Sequence, residues 1–197
     1  MSVRVRKGSR ARKLGRTVGG VILALALFGG GYLGALQLTG NFHPVVPGSL
    51  YRSAQPTTAD IAHYRKTYGI KTIINLRGEN AGSPWYDAEI AEAKQFGIAH
   101  VDFGMSAGRE LTRTEAADLV AILERAEKPV LIHCKAGADR SGLASALYVA
   151  AVAKLGEAAA EQQISIRYGH ISLPVSATYA MDRAFEALEP WLGFPDS

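Results

Sequence analysis

Two residues of reactive type stand six positions apart in this chain, Cys134 and Arg140, inside the stretch PVLIHCKAGADRSG at 129–142. The apolar run Val130-Leu131-Ile132 predicts a buried strand. Five residues with Gly137 at their centre separate the cysteine from the arginine, and LASALYVAAVAKL after Ser141-Gly142 predicts a helix ending at Gly156. Strand, tight loop and helix in that order favour anion capture. Backbone N–H groups of the loop (Lys135, Ala136, Gly137, Ala138 and Asp139) can point into one concavity, and the helix N-terminus adds partial positive charge. Arg140 closes the ring with a planar fork suited to two phosphate oxygens. The same field stabilises an ionised thiol, which places a Cys134 thiolate beneath a bound phosphate. A thiolate facing phosphorus is a nucleophile, and the expected product is a phosphocysteine.

The elements that must position this stretch fit a chain of 197 residues, 48% of them hydrophobic, long enough for one domain with a substantial core. The formal net charge of +4 is misleading as an average. Seven basic residues (Arg4, Arg6, Lys7, Arg10, Arg12, Lys13, Arg16) precede Thr17 and no acid does; the remaining 15 basic residues face 18 acids, so the rest carries −3. A basic tail on an acidic domain argues against nucleic acid as a partner. The single cysteine excludes an internal disulfide, and the histidines at 43, 63, 100, 133 and 170 lack metal-ligand spacing, so no metal or cofactor is expected.

Four segments follow from the pattern. Residues 1–16 form a basic tail expected to be disordered. Residues 17–40 carry no charge and are long enough to cross a bilayer as a helix, about 20 residues being needed. The run is longer than a signal-peptide core and no small-x-small site follows, which predicts an uncleaved anchor. The basic flank predicts a cytoplasmic N-terminus and a domain on the far side, periplasmic in a bacterial inner membrane. Gly30 and Gly34 provide a G-x-x-x-G spacing. Residues 41–48 read as a proline-bearing linker, and 49–197 as the catalytic domain. There the pattern predicts strands around Tyr51-Arg52, over 71–76 and 98–103, and before Cys134. Predicted helices run from Pro56 to about Tyr68, from Pro84 to Phe96 and from a capping box at Thr112–Glu115 to about Glu127. Two more cover 158–168 and 176–192. The alternation predicts an α/β fold with a mostly parallel sheet covered on both faces, and a ligand site at the carboxyl ends of its strands. The loops at 77–80, 104–111 and 134–140 share that edge.

His133-Cys134, five residues, then Arg140-Ser141 resembles the signature of the cysteine-dependent phosphatases, the tyrosine and dual-specificity superfamily. LYRSAQP at 50–56 and INLRGEN at 74–80 are similar to small bacterial dual-specificity-like members, some of them membrane-anchored. The resemblance covers roughly residues 45–170. It implies a dual-specificity-phosphatase-like fold and hydrolysis of phosphomonoesters: phosphotyrosine or phosphoprotein, or lipid and sugar phosphates. It makes Cys134 the nucleophile, Arg140 the phosphate clamp and residues 135–139 the amide cradle. Ser141 would assist departure of the thiolate and His133 would tune the thiol. The superfamily also uses an aspartic acid as proton donor. Asp139 inside the signature is the first candidate, Asp102 about thirty residues upstream the second, and Glu110 an outside one.

Simpler readings stand beside these. A cysteine ending a buried strand is often inert, Asp139 can serve only to orient Arg140, and Arg77 and Arg109 can be solvated rather than meet a second anion. Tyr32, Trp85 and Trp191 fit packing or a membrane interface better than substrate stacking. A loop without Asp at 104–111 also leaves open a phosphate-binding module without turnover, and a rhodanese-type sulfur transferase is a more distant alternative.

Overall fold

A computed structural model describes residues 8–194, with side chains from residue 14 onward. The chain divides into two compact units, 1–38 and 39–197. In the first, a single helix, α1 (Gly8–Leu38), contains a 25-residue stretch, Leu14–Leu38, apolar and long enough to cross a membrane. At about 1.5 Å per residue that stretch measures about 37 Å. The helix begins at Gly8, so residues 8–16, expected to be disordered, are helical here; residues 1–7 lie outside the described residues. Nothing in Arg10–Arg16 breaks a helix, and the apolar run supplies the turns it extends.

The second unit is an α/β domain built on a five-stranded sheet in the order β1-β2-β5-β3-β4. Strands β2 (Leu50–Ser53), β5 (Val130–His133), β3 (Thr72–Asn75) and β4 (Ala99–Asp102) are parallel, and β1 (His43–Val46) pairs antiparallel with β2. β1 falls in the stretch expected to be a linker. Its proline is tolerated because β1 is an edge strand and slips register between Pro44 and Val46. β5 occupies the middle of the sheet, so its C-terminal end opens where two neighbouring strands also end. Ser53, His133, Asn75 and Asp102 stand in one row across that edge.

Strand alternation divides the core into two layers. Leu50, Ile74, Val130 and Ile132 face a cluster with α4 (Arg113–Arg125), α5 (Asp139–Leu147) and α7 (Ala180–Leu192). Tyr51, Ile73 and Leu131 face the other side, with Ile61 and Tyr64 of α2 (Thr58–Tyr68) and Ala93 of α3 (Pro84–Gln95). Both faces are therefore covered, as a parallel sheet requires. The capping boxes at Thr57–Asp60 and Thr112–Glu115 fix the starts of α2 and α4, and Gly69 ends α2 in the left-handed conformation.

Three helical expectations are corrected. α5 starts at Asp139, four residues before the predicted start at Leu143, because Gly142 N–H already donates to Ala138 O. It passes directly into a wider π-helical turn at Tyr148–Val152. The predicted helix over 158–168 is a short α6 (Glu157–Glu161) followed by a single 3-10 turn at Ile166–Tyr168, with Gly169 ending it. The last helix keeps its end at Leu192, but its start is a 3-10 turn, Ala177–Tyr179.

Candidate active site

The loop between β5 and α5 runs from Cys134 to Ala138. Period-2 alternation turns Cys134 toward the α5 face and His133 toward α3. Cys134 is 2% exposed, and Gly137 donates its backbone N–H to the Cys134 Sγ over 3.2 Å. Gly137 sits at φ +71°, and a Cβ there would lie 2.6 Å from Ala54 N and 2.7 Å from Ser53 C. Only glycine allows this turn to rest on the end of β2. Asp139, Arg140 and Ser141 form the first turn of α5, so the positive end of that helix faces the loop. The Ser141 hydroxyl is buried and has no hydrogen-bond partner among the described residues, while the Lys135 side chain is exposed.

Arg140 Nη1 donates to Leu76 O over 3.4 Å and to Met105 O over 3.3 Å. Its guanidinium thus lies where the loops following β3 and β4 meet. Those loops touch closely: a Cβ on Gly78, at φ +77°, would be 3.0 Å from Gly104 Cα. Arg77, just after β3, lies over the Trp85 ring at 3.5 Å and donates to Gln55 Oε1 over 2.7 Å. Burial and the neighbouring Arg140 charge both lower its pKa. Trp85 therefore packs against the Arg77 guanidinium. Beside it, a cleft of about 310 Å³ lies between Pro56–Thr58 and Trp85–Glu89. Arg109 is taken up by Glu115 at 2.6 Å, and Glu110 by Arg183 at 2.6 Å, both at the surface.

The two aspartates occupy different surroundings. Asp102 ends β4, accepts from Asn75 Nδ2 over 2.8 Å and from the Tyr86 hydroxyl over 2.6 Å, and keeps 26% side-chain exposure. The hydrogen bond to Asp102 is the main cause of a raised Tyr86 pKa. Asp139 is bound on the other side, by His170. His170 is buried, and its two ring nitrogens lie 2.8 Å from Asp139 Oδ1 and 2.8 Å from Asp182 Oδ2; Ser172 also donates to Asp182. Burial alone would lower the His170 pKa, but the hydrogen bonds and charges of the two carboxylates outweigh it and raise it. A histidine with a raised folded-state pKa stabilises the fold fully below its unfolded value of about 6.5, and loses that contribution as pH rises through the folded value. Replacing His170 by Gln is thus expected to lower the melting temperature more at pH 6 than at pH 9, measured by circular dichroism; an equal loss at both would refute the imidazolium clamp.

Sequence reasoning missed the group that holds His133. Its Nε2 donates to Glu89 Oε1 over 2.9 Å, and the same carboxylate takes His100 Nε2 at 2.7 Å and Gln55 Nε2 at 2.5 Å. An ionised carboxylate only accepts, so both imidazoles carry their proton on Nε2. Burial opposes the Glu89 charge, but these hydrogen bonds hold its pKa down at about 2. Glu89 is a buried acid on α3, a signal readable in sequence only once that helix is known to face His133. Arg52 and Asn41, both buried, also reach the loop from behind, Arg52 to Gly137 O and Ala138 O and Asn41 to Ala136 O.

Residues 32–161 match the sequence profile of the tyrosine phosphatase family. The chain belongs to this family. No curated protein matches the chain at a significant level. Among solved structures, P. aeruginosa TpbA is similar with a TM-score of 0.61 and 24% identity, over 79% of this chain and 92% of that one. The core catalytic domain of the PP-IP phosphatase SIW14 from S. cerevisiae has a TM-score of 0.56 at 21% identity, covering 78% and 93%. PTPMT1 has a TM-score of 0.56 at 16% identity, covering 77% and 98%. At these identities the likeness is one of fold, and it spans nearly the whole of each of those chains.

Proposed function

We propose that this member of the family is a cysteine-dependent phosphomonoester hydrolase working through a phosphocysteine. The observation that carries the reading is the buried Cys134 sulfur with the Gly137 amide directed at it, at the N-terminus of α5. The substrate phosphate sits on the loop amides of 135–139, and Arg140 leaves the carbonyls of Leu76 and Met105 to grip two of its oxygens. The Cys134 thiolate attacks phosphorus, an S–P bond forms, and the bond to the leaving oxygen breaks. That oxygen takes a proton from a carboxylic acid. In the second step the same group, now a carboxylate, takes a proton from water, which attacks phosphorus; the S–P bond breaks and inorganic phosphate leaves. Ser141, with its unpartnered hydroxyl, donates to the departing thiolate, and His133 is kept in one tautomer by Glu89.

Geometry favours Asp102 over Asp139 as the acid. Asp139 is held in the clamp with His170, whereas Asp102 is partly exposed at the sheet edge, three residues before the Met105 carbonyl that Arg140 reaches. Asp102→Asn is expected to lower kcat by a factor of about 10²–10⁴, and more for an alkyl phosphate than for an aryl phosphate, whose leaving group needs less protonation. Asp139→Asn is expected to act mainly on the melting temperature. Hydrolysis by the full chain in detergent micelles checks both, and the reverse ranking would make Asp139 the acid. Phosphate binding without hydrolysis of any ester would mark a binding module instead.

The TpbA structure solved with pTyr and the PP-IP activity of SIW14 set the breadth of the substrate panel: phosphotyrosine peptides, inositol phosphates and phospholipids. Leu14–Leu38 serves as a membrane anchor in this reading, with the basic N-terminus in the cytoplasm and the catalytic domain on the periplasmic side. An anchored enzyme meets phosphorylated groups at the membrane surface at high effective concentration.

A further inference from the structure

Arg52 is fully buried on β2, beneath the catalytic loop. Its Nη2 donates to Gly137 O and to Ala138 O, both over 2.9 Å, and its Nη1 to Gln163 O over 2.7 Å. The guanidinium lies over the Tyr168 ring at 4.1 Å, and among the described residues no carboxylate forms an ion pair with it. Burial lowers its pKa to about 10, so it remains a cation at neutral pH, with Tyr168, Cys134 and Asp139 as the ionisable groups that favour its charge. A buried arginine that spends its donors on backbone carbonyls is costly unless those carbonyls must be held.

The carbonyls it holds belong to a series. Lys135 O accepts from Gln55 N over 3.3 Å and Ala136 O from Asn41 Nδ2 over 2.9 Å. Gly137 O and Ala138 O go to Arg52. In a planar trans peptide the C=O and the following N–H point in opposite directions. Four carbonyls taken from behind by residues 41–55 therefore turn the N–H groups of Ala136, Gly137, Ala138 and Asp139 the other way. The Gly137 N–H confirms the sense, since it is directed at the Cys134 sulfur.

We propose that Arg52 is a positioning residue of the catalytic loop: its guanidinium fixes the carbonyls of Gly137 and Ala138, and so aims the amides of Ala138 and Asp139 at the anion that binds over Cys134. This inference rests on the phosphate-binding reading of the loop. It also gives the site a cation that never touches substrate. Lysine replaces it only in part, because one ammonium cannot span the three carbonyls that the planar fork reaches.

Cys134 is the chain's one cysteine, so its alkylation by iodoacetamide reports on the loop alone. The test measures the concentration of inorganic phosphate that half-protects Cys134, in the full chain in detergent micelles, for the wild type, Arg52→Lys and Arg52→Met. Melting by circular dichroism establishes that each variant is folded at the assay temperature. We expect the half-protecting concentration to rise about tenfold or more in Arg52→Met and by a smaller factor in Arg52→Lys, as when pre-aimed donors are lost. If the methionine variant does not fold, the lysine variant carries the comparison. Folded variants protected at the wild-type concentration would overturn the inference and leave the hydrolase reading intact, since a residue that only supports the fold moves the melting temperature and not the anion affinity. A wild type that phosphate does not protect would overturn both.

Discussion

Replacing Cys134 by serine is expected to lower hydrolysis of an aryl phosphate by a factor of about 10⁵ or more, the scale seen when an enzyme loses its nucleophile. The loop explains why the loss is so large. A serine hydroxyl needs a base to remove its proton, and the adjacent imidazole cannot supply one: His133 points to the opposite face of the sheet, where its Nε2 donates to Glu89. A cysteine attacking as its thiolate needs no base, whereas a serine hydroxyl without one does not ionise at neutral pH. The variant should keep its melting temperature and still bind inorganic phosphate. A steady-state assay beside a phosphate titration checks this, and a serine variant retaining more than about a hundredth of the activity would be incompatible with a cysteine nucleophile.

The second large effect lies at Gly137. In Gly137→Ala a methyl group would enter at φ +71°, 2.6 Å from Ala54 N and 2.7 Å from Ser53 C. Both neighbours are backbone, on the end of a strand hydrogen-bonded along its length to β5, so neither can swing aside as a side chain could. The left-handed conformation alone costs an alanine about 1–2 kcal/mol, and relieving the contact must move the loop. The expected result is a protein destabilised by about 2–4 kcal/mol, with kcat/KM down by about a hundredfold or more, because the Gly137 amide is the one directed at the sulfur. Chemical denaturation and steady-state kinetics on the same preparation check both parts. An alanine variant with wild-type activity would mean that the loop turns in another way.

These two residues were legible in the sequence; the groups that hold them were not, and the reason is physical. Cys134, Gly137 and Arg140 lie within seven consecutive positions, where spacing alone fixes their relation. Glu89, Arg52 and Asn41 act on the same loop from 45, 82 and 93 positions away in the chain, and only the strand order β2-β5-β3 with α3 packed beneath brings them together. The α/β alternation and the parallel sheet followed from apolar runs separated by capped helices. β1 did not, because a four-residue edge strand carrying a proline has the composition of a linker. The region 158–168 read as helix because its alanines and glutamates favour one. Its backbone is instead drawn toward Arg52, which takes Gln163 O.

His170 shows the same limit in another form. A lone histidine in a stretch of Gly, Ser and Pro gives no sign of the two carboxylates that flank it, one from the first turn of α5 and one from α7. Its placement also changes how Asp139 is read. From sequence, an acid next to Arg140 is the nearest proton donor; in the fold, the same acid is one arm of a buried clamp between the first turn of α5 and the last helix.

In the proposed mechanism the phosphoryl group passes through the sulfur of Cys134. Acid quenching of the full-length protein during turnover of an aryl phosphate, followed by mass spectrometry of the peptide containing residues 129–142, tests it most directly. One phosphoryl group on Cys134 is predicted, accumulating further in the Asp102→Asn variant because its second step lacks a base. Turnover that proceeds with this peptide unmodified, or with the phosphoryl group on His133 instead, would contradict it.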